Sequence, residues 1–405
     1  MVSVNQTSKS QNVVLNDNVI SYCYQPLIPA LGLPQIYAIN SDGTNNRQII
    51  NSSIGLSHQD WSPDTMKFAV VGYLDGGYTT WSIFTFNSNG TNLIRLTTTN
   101  NVWDGDPVWS QDMNKIVFTR TYPNQNMKNE LWIMNSDGSN QHYIGIEGKF
   151  GRWSKNGTRL IYCSKKTNSI CDIYTCDTNG TNELRLTYSP VDTYFPVYSP
   201  DGNEVVYCAG SNNNMADWEI YKMKSDGTGV RKLTNNNASD NLPKWSPDGT
   251  MFAFISDRHQ SGKPEVYIMD TSGANVQRVT YLPENITAVN PVWRKSGTTG
   301  VKNINSNIPG FCKLFQNYPN PFNPATKIKF EIPPFNPPLS KGGRGRVSLK
   351  IFDILGKEIA TFVNKQLQPG TYEVTFDGSV LPSGVYFYQL MSGDFIDTKK
   401  MAFIK

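Results

Sequence analysis

The sequence predicts an all-β protein: a six-bladed β-propeller followed by a small C-terminal β-sandwich. Two short motifs alternate along the first three quarters of the chain, six times each, at one shared period. The composition favours turns and strands, with 32 Gly, 24 Pro and 12% aromatic residues. Residues 314–405 then break the period and hold a fresh series of strand-like runs.

At 405 residues the chain is too long for one ordinary domain and comfortable for two. An apolar fraction of 38% and a charged fraction of 17% exclude wholesale disorder and a long-helix protein. A net charge of +4 without a Lys/Arg stripe gives no warrant for a nucleic-acid partner. No stretch reaches the ~18 continuous apolar residues of a membrane helix. We expect a monomer.

The first motif reads IYAINSDGTN from Ile36, IFTFNSNGTN from Ile83, LWIMNSDGSN from Leu131, IYTCDTNGTN from Ile173, IYKMKSDGTG from Ile220 and VYIMDTSGAN from Val266. Its glycines fall at intervals of 47, 48, 42, 47 and 46. The second motif is WSPD at Trp61, with variants at Trp109, Trp153, Tyr198, Trp245 and Trp293. Its intervals are 48, 44, 45, 47 and 48. Self-similarity at this spacing is the mark of propeller blades.

Each repeat supplies four strands in order. The inner strand carries Pro-x-Trp, as in Pro107-Val108-Trp109 and Pro243-Lys244-Trp245. A Ser-Pro-Asp-Gly turn follows, in which Pro presets φ and Gly accepts a positive one. The second strand alternates, as in Lys67–Val71. The third is the Ile-Tyr strand, closed by an Asp-Gly or Asn-Gly hairpin. The fourth ends in Arg-Leu-Thr or a variant, as at Arg95, Arg185, Lys232 and Arg278. No window shows sustained helical periodicity. The chain supplies three strands before Trp61 but no clear blade after Trp293, so the two ends should share one blade and seal the ring. Residues 12–303 form this unit, with 304–313 as a linker. The pattern resembles the TolB-like six-bladed propeller repeat, which is specific for fold and weak for function.

Residues 314–405 read as a sandwich with strand candidates at 327–332, 347–353, 358–363, 370–376, 384–390 and 394–404. A Pro- and Gly-rich stretch at 334–346 reads as an exposed loop insertion. The distinctive residues are Asn317, Tyr318, Pro319, Asn320, Pro321, Phe322, Asn323 and Pro324, then Asp353, Gly356, Gly370, Ser383, Gly384, Tyr386, Lys399 and Lys400. Together they resemble the type A C-terminal sorting domain of type IX secretion cargo. That resemblance implies an outer-membrane translocon as partner and a secreted or cell-surface location. The first twelve residues, MVSVNQTSKSQN, hold no apolar core of a secretory signal, so this route requires a Sec signal upstream of Met1.

Chemistry-bearing motifs are sparse. There is no Gly-x-Ser-x-Gly elbow. His58, His142 and His259 sit in different repeats and read as polar rim residues rather than a metal cluster. Asp42, Asp137 and Asp226 read as turn residues rather than calcium ligands. Acids before the third strand (Glu130, Asp172, Glu219, Glu265) and the Arg or Lys of the fourth read as surface ion pairs. The six cysteines read as small apolar side chains on strands, although Cys163 and Cys171 could face each other across a hairpin.

One constellation escapes the repeat logic. The loops leading into the inner strands carry His58, Asp104, Asp106, Asp192, Asp240 and Asn290. They should converge on one channel mouth as an acidic funnel for a cation or a basic ligand, or else stand as solvated loop acids. We expect no cofactor and no catalysis. The propeller would bind a protein, a peptide or a glycan. The rival is a polysaccharide hydrolase or lyase with two funnel carboxyls ~5–10 Å apart.

Overall fold

The computed structural model describes residues 19–404 apart from 29–31, 75–79, 167–169, 212–216, 295–301, 306–308, 324, 335–345, 357, 368 and 378–381. The chain divides between Gly297 and Thr298 into two units. The described residues form strands and turns with no α-helix, so none crosses a membrane as a helix.

The first unit is a propeller of six four-stranded antiparallel blades. Blade I joins both ends of the unit, with Ile286–Trp293 innermost and Val19–Pro26, Gln35–Asn40 and Arg47–Gln48 outward of it. Ile20 pairs with Trp293 and Pro26 with Ile286. Blades II to VI follow in chain order, with inner strands Gly55–Trp61, Trp103–Trp109, Lys149–Trp153, Asp192–Tyr198 and Asp240–Trp245. Each inner strand lies against the next, and that of blade I lies against that of blade II, so the ring is sealed. Blades II and III are also linked by one parallel bridge, Trp81 to Trp103.

The repeat motifs explain the joints. In the turn after the inner strand, the Ser62 hydroxyl donates to Asp64 (2.6 Å) and accepts the Lys67 N–H (2.9 Å). Ser110, Ser199 and Ser246 repeat the device. The motif tryptophan then ties blade to blade: Trp153 Nε1 donates to the Val108 carbonyl and Trp245 Nε1 to the Val197 carbonyl, each in the preceding blade. In the hairpin turn, Asp42 accepts both the N–H and the hydroxyl of Thr44.

The glycine of that turn has a second duty. A Cβ on Gly180 would lie 1.9 Å from the Ile144 carbonyl of the preceding blade. The equivalent Gly43 approaches the Val279 carbonyl across the seal, where a Cβ would stand at 3.2 Å. The turn is therefore seated on its neighbour's outer strand, a contact only glycine allows.

The acids before the third strand are not on the surface. Asp172, Glu219 and Glu265 are 1, 3 and 1% exposed, and they pair with Arg185, Lys232 and Arg278. Glu265 also accepts from the Thr280 hydroxyl and the Leu282 N–H. They face the next blade, so stacking buries what a lone sheet would expose. Glu130 departs from the pattern and pairs with Lys128.

The second unit is a sandwich of two four-stranded sheets over one core that includes Phe322, Phe330, Leu349, Val374, Tyr388 and Phe403. Among the described residues it holds eight strands rather than the six expected. Lys302–Asn305, expected at the propeller's end and the start of a linker, pairs instead with Gly370–Asp377, and Lys313–Leu314 pairs with Ala325–Ile332. Such short edge strands need only backbone hydrogen bonds, so their sequences carry no apolar alternation to announce them. Most of the loop insertion (335–345) and Pro324 lie outside the described residues.

The sorting motif stitches this fold together. Asn317, 2% exposed, donates to the Pro319 carbonyl and the Thr326 hydroxyl, while its N–H bonds the Tyr388 hydroxyl. Asn320 accepts the Ala402 N–H. Phe322 packs on Phe376 and Phe403. The Asp353 carbonyl receives the Gly356 N–H, and Tyr386 donates to the Pro382 carbonyl.

Candidate functional site

Every inner strand loses register shortly before its aromatic residue. The shift falls between Ser57 and Asp60, Gly105 and Val108, Lys149 and Arg152, Tyr194 and Val197, and Asn241 and Lys244. In blade I it falls between Ser21 and Cys23, opposite Val292 and Val289. The residue three before the aromatic is left-handed in all six blades, with φ from 49° to 60°: His58, Asp106, Phe150, Phe195, Leu242 and Asn290. A bulge of this kind bends a strand and re-aims a side chain. For Phe or Leu it costs ~1–2 kcal/mol and persists because the neighbouring ladders hold it.

These six half-buried residues ring the channel, and the ring has two arcs. Blades I, II and III supply Asn290, His58 and Asp106; blades IV, V and VI supply Phe150, Phe195 and Leu242. On the polar arc, His58 Nε2 lies 3.9 Å from Asp106. His58 Nδ1 bonds the Ser57 hydroxyl, which bonds Tyr73. Beside it Trp81 stacks on Trp103 at 5.1 Å. The Asn290 carbonyl receives the Gln59 amide from the adjacent blade. On the apolar arc, the Phe150 and Phe195 rings lie 4.2 Å apart, and the Lys149 ammonium sits over Phe150 and Tyr194.

Two residues further along each strand lies a second layer. Alternate blades place Asp60, Arg152 and Lys244 there, and Val108, Val197 and Val292 fill the positions between. Asp60 accepts the Trp109 N–H at 3.0 Å. Among the described residues, Arg152 and Lys244 have no carboxylate within ion-pair distance, and Arg152 bonds only the Gly151 carbonyl. Burial, then Arg152, hold the Lys244 ammonium well below the ordinary lysine range, against the pull of Asp60 and Asp106. Burial also lowers His58; Asp106 opposes this, and Arg152 and Lys244 reinforce it. Groups on blades II, III, IV and VI thus lie within electrostatic reach of one another.

The six residues expected in the funnel lie within the inner strands, not in the loops before them, and they separate into two sets. Asp104, 1% exposed, receives a two-pronged Arg120 guanidinium at 2.7 and 2.9 Å. Asp240, 0% exposed, receives Arg258 and the Asn236 amide. Asp192 accepts the Cys171 N–H at 2.6 Å. These three belong to the blade walls. His58, Asp106 and Asn290 belong to the channel. Among the described residues no three His, Cys, Asp or Glu side chains converge as metal ligands.

Sequence reading missed the apolar arc and the charged layer. Their signal was the residue before each motif aromatic, where Asp60, Arg152 and Lys244 interrupt a run of valines. Cys163 and Cys171 are both buried thiols packed in one cluster, unbridged.

A family model described as the TolB beta propeller domain matches residues 30–213 and again 124–307. A model described as the secretion system C-terminal sorting domain matches 316–405. An uncharacterized protein of Agrobacterium fabrum is 26% identical over 95 residues, which span 23% of this chain and 32% of that protein. Among solved structures, TolB from Acinetobacter baumannii superposes with a TM-score of 0.57 at 20% identity, covering 69% of this chain and 68% of that one. A putative TolB from Agrobacterium tumefaciens gives 0.51 at 19% identity, covering 65% and 89%. Hydrazine synthase of Kuenenia stuttgartiensis gives 0.58 at 12% identity, covering 97% and 68%. At these identities the likeness is one of fold.

Proposed function

This chain belongs to the TolB beta propeller family and ends in a type IX secretion sorting domain, which implies a secreted or cell-surface protein, and we propose that its propeller is a non-catalytic binding module for a protein or peptide segment. The observation that carries this reading is the two-arc ring. An apolar arc of Phe150, Phe195 and Leu242 facing polar Asn290, His58 and Asp106 suits a ligand with both apolar and hydrogen-bonding surface. Of the acids a hydrolytic pair would draw on, Asp104 and Asp240 are already held by arginines in the blade walls. The sandwich serves as the address read by the type IX translocon.

The test is retention of cell-envelope proteins by the immobilised full chain, alongside turnover assays on a polysaccharide panel. The expected result is retention that is lost when Phe150 and Phe195 are both replaced by Ala, with no turnover. Polysaccharide cleavage that disappears in Asp106→Asn would overturn the reading in favour of a hydrolase or lyase.

A further inference from the structure

We propose that the propeller channel is a receptor for the free C-terminus of a peptide, whose carboxylate is taken by Arg152 and Lys244 and whose last, apolar side chain rests on Phe150, Phe195 and Leu242. This rests on the binding-module reading above and names its ligand.

Three observations converge on it. The first is topological. The ring is sealed by the pairing of Val19–Pro26 with Ile286–Trp293, so its channel can be reached only along its axis. Approach along the axis suits a chain end or a small molecule rather than the middle of a folded partner. The second is electrostatic. Asp60 already receives the Trp109 N–H, and Asp106 already faces His58. Arg152 and Lys244 have no carboxylate within ion-pair distance among the described residues. Asp60 and Asp106 act on Lys244 from beyond ion-pair distance, so the groups in this space with the fewest close partners are the cations. Among the described residues Arg152 bonds only the Gly151 carbonyl and the Lys244 ammonium has no hydrogen bond. Desolvated cations without close partners are costly. The end that answers them is a carboxylate, not an ammonium. The third is the order of the layers. Arg152 follows Phe150, and Lys244 follows Leu242, by two residues on the same strands. Two residues of strand span roughly 6–7 Å, so the cations lie just beyond the apolar arc. A terminal residue has the same order, with its carboxylate one step past the side chain that the arc would hold.

Binding should also move a proton. Burial and Arg152 hold the Lys244 ammonium below its ordinary range, while Asp60, Asp106 and Cys208 pull the other way. A carboxylate arriving beside it favours the charged form, so binding takes up protons.

The experiment uses the full chain and three ligands in calorimetry: acetyl-Gly-Gly-Phe with a free carboxylate, the same tripeptide as its C-terminal amide, and N-acetylphenylalanine. The free acid is expected to bind at least tenfold more tightly than the amide, with proton uptake seen as a dependence of the heat on buffer ionisation. Arg152→Met and Lys244→Met should each erase the preference, and Lys244→Arg should keep it. Equal binding of acid and amide, or no binding of either, overturns the proposal without any variant having to fold. N-acetylphenylalanine binding as tightly as the tripeptide overturns the peptide-end reading in favour of a small free acid. If the acid preference is absent while the Phe150→Ala, Phe195→Ala double variant still loses its envelope ligand, the binding-module reading stands and this inference alone falls.

Discussion

Asp104 and Asp106 stand two residues apart on one strand, the first in the wall between blades and the second in the channel. Asp104 is buried beneath a two-pronged guanidinium, and Arg120 in turn lies over Trp132 at 4.2 Å. Asp106 sits on a left-handed bulge, half-buried, with a histidine at 3.9 Å as its ion-pair partner among the described residues. The wall answers each charge with a partner of opposite sign, because stacking two sheets removes the water that would otherwise solvate it. Along the axis the charges act on one another at longer range, Asp106 on His58 at 3.9 Å and Asp60 and Asp106 on Lys244 beyond ion-pair distance. Blade walls thus pair their charges closely, whereas the channel charges lie farther from their partners.

The sharpest way to break this comparison is to remove one wall partner. Arg120→Met leaves Asp104 buried and uncompensated, so the propeller should lose ~3–5 kcal/mol in denaturant unfolding. Replacing both residues with apolar ones should restore much of that loss. If Arg120→Met costs no more than a surface substitution, the wall and the channel do not differ as described.

The uncharged joint between blades provides the next test. Gly180→Ala meets the Ile144 carbonyl as well as a positive φ of 82°. Gly157→Ala meets only a positive φ of 72°, with open space around the new Cβ. Thermal unfolding should show the first costing ~1–3 kcal/mol more than the second. Equal costs would mean that the turn is not seated on its neighbour.

Acid should weaken the propeller through its turns rather than its channel. The Thr44, Ser139 and Thr228 hydroxyls hold Asp42, Asp137 and Asp226 below their ordinary 3.8. The Ser272 hydroxyl brings Asp270 to about 2. A carboxylate depressed in the folded state stabilises above its unfolded pKa and loses that contribution as pH falls through its folded one. The unfolding midpoint should therefore hold down to near pH 4 and fall between there and pH 2. A midpoint that declines mainly between pH 7 and 5 would contradict this.

The smallest effect lies in the channel. Asp106 opposes the burial that lowers His58, so Asp106→Asn should lower the His58 pKa further, read from its ring proton in an NMR titration, with little change in stability. A rise would mean that the two side chains do not share the space assigned to them.

Much of the fold was legible beforehand. Two interleaved motifs at one period gave six blades, and a surplus of three strands at one end gave the seal at Trp293. Of the site, only the polar arc was visible. His58, Asp106 and Asn290 look like recognition residues in any setting, whereas Phe150, Phe195 and Leu242 look like core until a bulge turns them out. Asp104 and Asp240 misled for the opposite reason: their partners, Arg120 and Arg258, are 16 and 18 residues away, and neither belongs to a motif.

Period, blade number, turn chemistry and the sorting motif are written in short runs whose residue types and spacing can be read without knowing what they touch, so the sequence by itself determined them. Which acids became wall and which became channel was decided only by tertiary structure. That choice depends on where water is excluded once six sheets stack, and on bulges that re-aim one residue per strand toward a shared axis. Neither exists in a single repeat.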